Sequence, residues 1–139
     1  YTPMPWRSGY LMLRGDVGQV FAEQIELVPS DWLFRIGGVN SVRGYDYQSI
    51  GVPQNGAVVG GAVTASSTIE YQHDFAASWR WAVFADAGDA TNSWSNFTLH
   101  RGYGAGVRWL SPVGSIAADL AFGEPAQQWR MSMSIGLAF

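Results

Sequence analysis

The residues of this chain whose types suit a shared chemistry are one arginine and two carboxylates. Arg43 lies in a glycine-rich loop, Gly37-Gly38-Val39-Asn40-Ser41-Val42-Arg43-Gly44-Tyr45. Glu70 and Asp86 lie on two later segments that alternate between apolar and polar residues, and both occupy polar positions. A guanidinium is a planar fork of N–H donors that fits a carboxylate bidentately, and one held away from water requires such partners. The chemistry on offer is therefore ion pairing between a loop and the segments behind it. Arg43 is expected to pair chiefly with Asp86 and secondarily with Glu70. Reversing the charge of Arg43 is expected to impair folding or activity, and reversing Asp86 as well to restore part of it. Gly44 brings a backbone freedom other residues lack. Gly104 and Gly106, at polar positions of the next segment, are expected to leave room for the loop backbone.

Patterns for catalysis are missing. There is no G-x-S-x-G elbow, and the glycines at 102, 104 and 106 alternate along a segment instead of opening a helix, so they do not form a phosphate cradle. His73 and His100 share no ligand spacing, and without cysteine neither a disulfide framework nor a cysteine-ligated zinc site is available. No metal and no cofactor is expected. Arg14 with Asp16, and Asp119 with Arg108 and Arg130, read as groups that solvate or pack a polar surface.

The elements that must position Arg43 and its carboxylates are strands. The period of the pattern is two. Val63, Ala65, Ser67, Ile69 and Tyr71 stand against Thr64, Ser66, Thr68, Glu70 and Gln72. Trp79, Trp81, Val83 and Ala85 stand against Arg80, Ala82, Phe84 and Asp86; Tyr103, Ala105, Val107 and Trp109 against Gly104, Gly106 and Arg108. Two more segments, 115–122 and 129–139, repeat the alternation, and a weaker one runs from about Tyr10 to Phe21. One face is small and hydrophilic; the other carries large aromatics near strand ends. Strands of about ten residues, aromatic girdles and a polar interior mark a transmembrane β-barrel. Tyr71, Trp79, Trp109 and Phe139 are expected near one interface, beside the short connections 73–78 and 111–114. The longer connections, 88–99 and 123–128, lie at the other end.

Composition agrees. Apolar residues are 47% and charged residues 14%, against about a quarter charged in a soluble domain. The net charge of −3 argues against a nucleic-acid partner. The uncharged stretch from Tyr47 to Ile69 contains Pro53, Asn55 and scattered Gly, Ser and Thr, too polar for a spanning helix. The expected fold is all-β: an antiparallel up-and-down transmembrane barrel. Six strands cannot close one, so residues 1–139 are expected to form the C-terminal part of a larger barrel. The weaker alternative is a free-standing eight-stranded barrel, with added strands at 23–28 and 32–36.

Val42-Arg43-Gly44-Tyr45 resembles the [V/I]-R-G-[F/Y] motif in the sixth extracellular loop of the BamA/TamA superfamily of sixteen-stranded outer-membrane assembly and translocation barrels. Phe84-Ala85-Asp86-Ala87-Gly88 resembles the F-x-D-x-G motif of their thirteenth strand, and Gly102 to Gly114 their fourteenth strand with its turn. The loop and the Arg108-Trp109-Leu110-Ser111-Pro112-Val113-Gly114 stretch look most like TamA. The resemblance implies strands eleven to sixteen, a location in the bacterial outer membrane among its lipid, no enzymatic activity, unfolded barrel or autotransporter clients, and a TamB-like periplasmic partner. It also implies that loop 37–56 folds back into the lumen and sets its arginine onto strands twelve and thirteen. Ile135, Gly136, Leu137 and Phe139 resemble the C-terminal signal that barrel proteins present to the assembly machinery, although Ser134 stands where the family favours Gly. Gly136 reads either as an ordinary strand glycine or as a weak point at the seam with an absent first strand. Two other functions fit the same residues: the barrel anchor of a patatin-like lipase, and a two-partner secretion transporter.

Overall fold

The computed structural model describes residues 2–3 and 9–137; the expected interfacial and terminal residue Phe139 lies outside them. Alternation of period two becomes strand wherever it was legible. In chain order the strands are β1 (Thr2–Pro3), β2 (Gly9–Gln19), β3 (Val52–Gln54), β4 (Ala57–Val59), β5 (Val63–Ala76), β6 (Trp79–Thr91), β7 (His100–Ser111), β8 (Gly114–Glu124) and β9 (Gln128–Leu137). Seven form one antiparallel sheet in the order β1-β2-β5-β6-β7-β8-β9, while β3 and β4 make a small hairpin within the long β2–β5 connection. From β2 to β9 each strand pairs with the next long one in sequence, an up-and-down meander.

The sheet is inside-out relative to a soluble domain. Trp79, Trp81, Val83, Tyr103, Val107, Trp109 and Leu120 are exposed, and Met131 reaches 81%. The opposite face buries Thr68, Glu70, Gln72, Asp86, Arg108 and Asp119. Water would penalise both halves of that arrangement, whereas lipid against the apolar face removes the penalty. Aromatic clusters mark two levels of the apolar face. Trp79 stacks on Trp109 at 6.3 Å near the two-residue turns. Phe122 packs between Tyr103 and Trp129 at 5.7 and 5.1 Å at the opposite end, where the connection expected over 123–128 shrinks to residues 125–127 because both strands run on. The six-residue step from Tyr103 to Trp109 along β7 is roughly 20 Å at the usual strand rise, about 15 Å of height at the usual strand tilt and so within the apolar band of an outer-membrane barrel.

Three expectations need adjusting. The strands run further than the pattern suggested, so the β5–β6 turn shrinks to Ala77 and Ser78, and the loop after β6 begins only at residue 92. That extension carries a bulge between Asp74 and Ala76. The extra strands at 23–28 and 32–36 do not form. Those stretches hold 3₁₀ turns, Ile25–Leu27 and Ser30–Trp32, and two isolated bridges, Phe34 to Gly61 and Ile36 to Ile50. Pro29 cannot donate to a ladder, and neither stretch alternates. None of the helical turns is long and apolar enough to cross a membrane.

Candidate functional site: a loop seated on the polar face

The loop between Ile36 and Ile50 closes on itself through the backbone pair of those two residues and a cluster of Val42, Tyr45 and Ile50. It lies on the polar face of the sheet. Arg43 there is 6% exposed. Its Nε and Nη2 donate to Asp86 Oδ2 and Oδ1 at 2.7 and 2.9 Å, and its backbone N–H donates to the same carboxylate at 3.0 Å. Nη1 donates to Glu70 Oε2 at 2.5 Å. Of the groups on Arg43, three donors go to Asp86 and one to Glu70. Burial works against the charged guanidinium, but hydrogen bonds and charge from Asp86, then Glu70, outweigh it and raise its pKa above the ordinary arginine value.

Strand register explains why these residues converge. Phe84, Asp86 and Gly88 alternate onto one face of β6. The guanidinium carbon sits 3.4 Å from the centre of the Phe84 ring, so the ring supports the plane that Asp86 grips at its edge. A Cβ on Gly88 would meet Ile36 Cδ1 at 2.9 Å, at the base of the loop. In the sequence Phe84 stood out as the first residue of the F-x-D-x-G resemblance and as an aromatic on the polar parity, among Arg80, Ala82 and Asp86.

The loop backbone follows one transverse row of the sheet, Thr68–Asp86–Gly102–Gly123–Gln128, each aligned with the next across β5 to β9. Asp86 takes the Arg43 N–H. A Cβ on Gly102 would collide with the Arg43 carbonyl oxygen, and one on Gly123 would meet the Gly44 carbonyl oxygen at 2.7 Å. Gln128 Nε2 donates to that same Gly44 oxygen at 3.1 Å. Gly44 has φ +96°, and a Cβ there would meet the Gly123 nitrogen at 2.7 Å, so conformation and space both demand glycine. This row corrects the expectation for Gly104 and Gly106. A Cβ at Gly104 would meet the Leu120 carbonyl and the Phe84 ring, and one at Gly106 the Asp119 carboxylate and Arg108. Those two glycines make room for the sheet's own groups; Gly102 and Gly123 make room for the loop.

Tyr45 completes the motif by packing edge-on against His100, ring centres 5.4 Å apart, and burial pushes its hydroxyl pKa up. The charges read as bland packing are more organised than that. Arg108 pairs with Asp119 at 2.5 Å and Glu70 at 3.0 Å, whereas Arg130 turns to Asp46 of the loop at 2.5 Å. Parity placed Arg108 and Asp119 on the right face, but only register shows which groups meet. At the C-terminal strand, Ile135 is exposed on the apolar face, while a Cβ at Gly136 would find nothing nearer than Ser115 Oγ at 3.2 Å. The backbone of β9 is described through Leu137.

Comparison with known proteins gives two findings. Residues 2–139 match the family model described as the Omp85 superfamily domain. An outer membrane protein assembly factor BamA from Nitratidesulfovibrio vulgaris strain Hildenborough is 32% identical over 111 residues, covering 74% of this chain and 14% of that protein. The chain thus spans about a seventh of the length of that relative.

Proposed function

The chain belongs to the Omp85 superfamily and is a portion of a β-barrel of the bacterial outer membrane; from that premise we propose that the protein carrying it assembles or translocates other proteins in that membrane. Its clients in this reading are unfolded barrel proteins or autotransporters, with no catalytic step of its own. The observation that carries the proposal is the seat of Arg43. A polar loop is drawn onto the polar face of a lipid-facing sheet and locked by a buried bidentate ion pair. We read the polar face as the lumen wall and Val42, Arg43, Gly44 and Tyr45 as the segment tethering loop 37–56 inside it. Within the superfamily, the loop and the Arg108-to-Gly114 stretch favour a TamA-like protein with a TamB-like periplasmic partner. The curated relative, by contrast, is a BamA.

Depletion of the full-length protein from its native host tests this. Folded barrel proteins or autotransporters in the outer membrane should fall, and complementation with an Arg43→Ala version should fail to restore them. A loss confined to autotransporters supports the TamA-like reading, and a general loss of barrel proteins a BamA-like one. Unchanged outer-membrane protein levels on depletion would contradict the assembly role.

A further inference from the structure

Arg108 is the second buried arginine of the polar face, at 7% exposure, and among the described residues its hydrogen bonds and ion pairs go to the sheet and not to the loop. Its Nη1 donates to Asp119 Oδ1 at 2.5 Å and its Nη2 to Glu70 Oε2 at 3.0 Å. That same Glu70 oxygen accepts from Arg43 Nη1 at 2.5 Å, while the other Asp119 oxygen lies 3.5 Å from Arg43 Nη1. Gln72 Nε2 donates to the remaining Glu70 oxygen at 2.6 Å. Two guanidinium groups, one from the loop and one from the sheet, therefore share Glu70 and Asp119, while among the described residues Asp86 pairs with Arg43 alone.

The consequence follows from removing each arginine in turn. Without Arg43, Asp86 loses its partner but Glu70 and Asp119 keep Arg108. Without Arg108, three buried carboxylates face one guanidinium, and like charges this close repel, so the carboxylates cannot hold the positions Arg43 needs. Gly106 supports the assignment independently. A Cβ there would run into both Asp119 and Arg108, so glycine clears the space for this pair. Lysine would not substitute, because a point charge cannot span two carboxylates as the planar fork does.

We propose that Arg108 is a positioning residue, a resident counter-ion that holds Glu70 and Asp119 in place to receive Arg43. The seat then exists before the loop enters and persists when it leaves, with only Asp86 left uncompensated. This inference rests on the reading of Arg43 as the loop's interior anchor.

The test uses the full-length protein in outer membranes, with any cysteine outside residues 1–139 replaced by serine and Asp46→Cys and Arg130→Cys introduced into this stretch, which has none of its own. Cross-linking the two with a short thiol-to-thiol reagent reports loop docking, since those side chains touch; heat-dependent gel mobility reports barrel folding separately. Arg108→Gln should keep the barrel folded yet lower the docked-to-undocked ratio roughly tenfold, the scale of a lost charge-assisted hydrogen bond. Arg108→Gln with Asp119→Asn removes one charge of each sign and should recover most of the cross-linking. The inference is overturned if Arg108→Gln cross-links like the parent while Arg43→Ala does not. It is equally overturned if the charge-balanced pair does no better than Arg108→Gln, including by failing to fold. Retention of cross-linking in Arg43→Ala would instead sink the anchor reading beneath it.

Discussion

Two residues of the loop make ion pairs to the sheet, in surroundings of very different kind. Arg43 reaches inward to Asp86 and Glu70, with all three groups nearly inaccessible. Asp46 meets Arg130 of the edge strand β9, with the two side chains 59% and 39% exposed. Their contact distances are similar, so distance does not separate them; surroundings do. In the buried pair each carboxylate has lost its water and depends on the guanidinium, and removing one partner strands the other at about 3–5 kcal/mol. In the exposed pair water takes over whatever contact is lost, and such pairs are worth about 0–1 kcal/mol. The loop's buried charge is therefore held from the middle of the sheet, on β5 and β6, while β9 adds the exposed Asp46 pair and the Gln128 hydrogen bond to Gly44. A shift of the edge strand would leave the loop seated, whereas a disturbance at β6 would release it.

The charge swap is the harshest way to break that contrast. Arg43→Glu alone places a carboxylate among Glu70, Asp86 and Asp119 and should abolish docking. From sequence, adding Asp86→Arg looked able to restore part of it. The geometry argues otherwise, because the carboxylate at 43 would still face Glu70 and Asp119, which stand 2.5 and 3.5 Å from the arginine it replaces. Protease protection of loop 37–56 should stay lost in the double variant; restored protection would show that Asp86 alone sets the seat. A smaller effect is expected from Gly102→Val, which leaves every charge in place but drives a side chain into the Arg43 carbonyl. Overpacking of this kind costs about 1–3 kcal/mol, and the same protection assay should show partial loss, with wild-type protection counting against close passage of the loop over β7. Smallest of all is Asp46→Ala, expected to cost under about 1 kcal/mol and to vanish in high salt. A large, salt-insensitive loss would make β9 an anchor equal to β6 and erase the contrast.

What the sequence disclosed follows the same division. Strands were legible because lipid on one side and polar groups on the other impose an unbroken period of two on each segment. Arg43 and Asp86 could be matched because one arginine in a glycine-rich loop met a carboxylate at a polar position. The glycines were a harder case. Gly102, Gly104 and Gly106 are alike in parity, and choosing among them needs the transverse row, which depends on turn lengths and registers accumulated from β5 to β9. Gly123 was missed for the same reason. Arg108 was seen but undervalued: parity puts it on the polar face, while its contact with Glu70 two strands away exists only after β6 and β7 are aligned. Phe84 signalled its role by breaking the polar pattern, since an aromatic facing a charged interior has to be stacking on something.

The most direct test of the central claim, that a buried Arg43–Asp86 pair anchors the loop, is a double-mutant cycle on the full-length protein. Arg43→Ala, Asp86→Ala and their combination would be compared by urea unfolding in lipid, followed through loop protection and barrel mobility together. The geometry predicts a coupling of about 2 kcal/mol or more, the upper part of the range for directly paired groups, with the double variant little worse than either single one. Additive effects with a coupling near zero would contradict the claim and leave Arg43 as one more polar residue on the barrel wall.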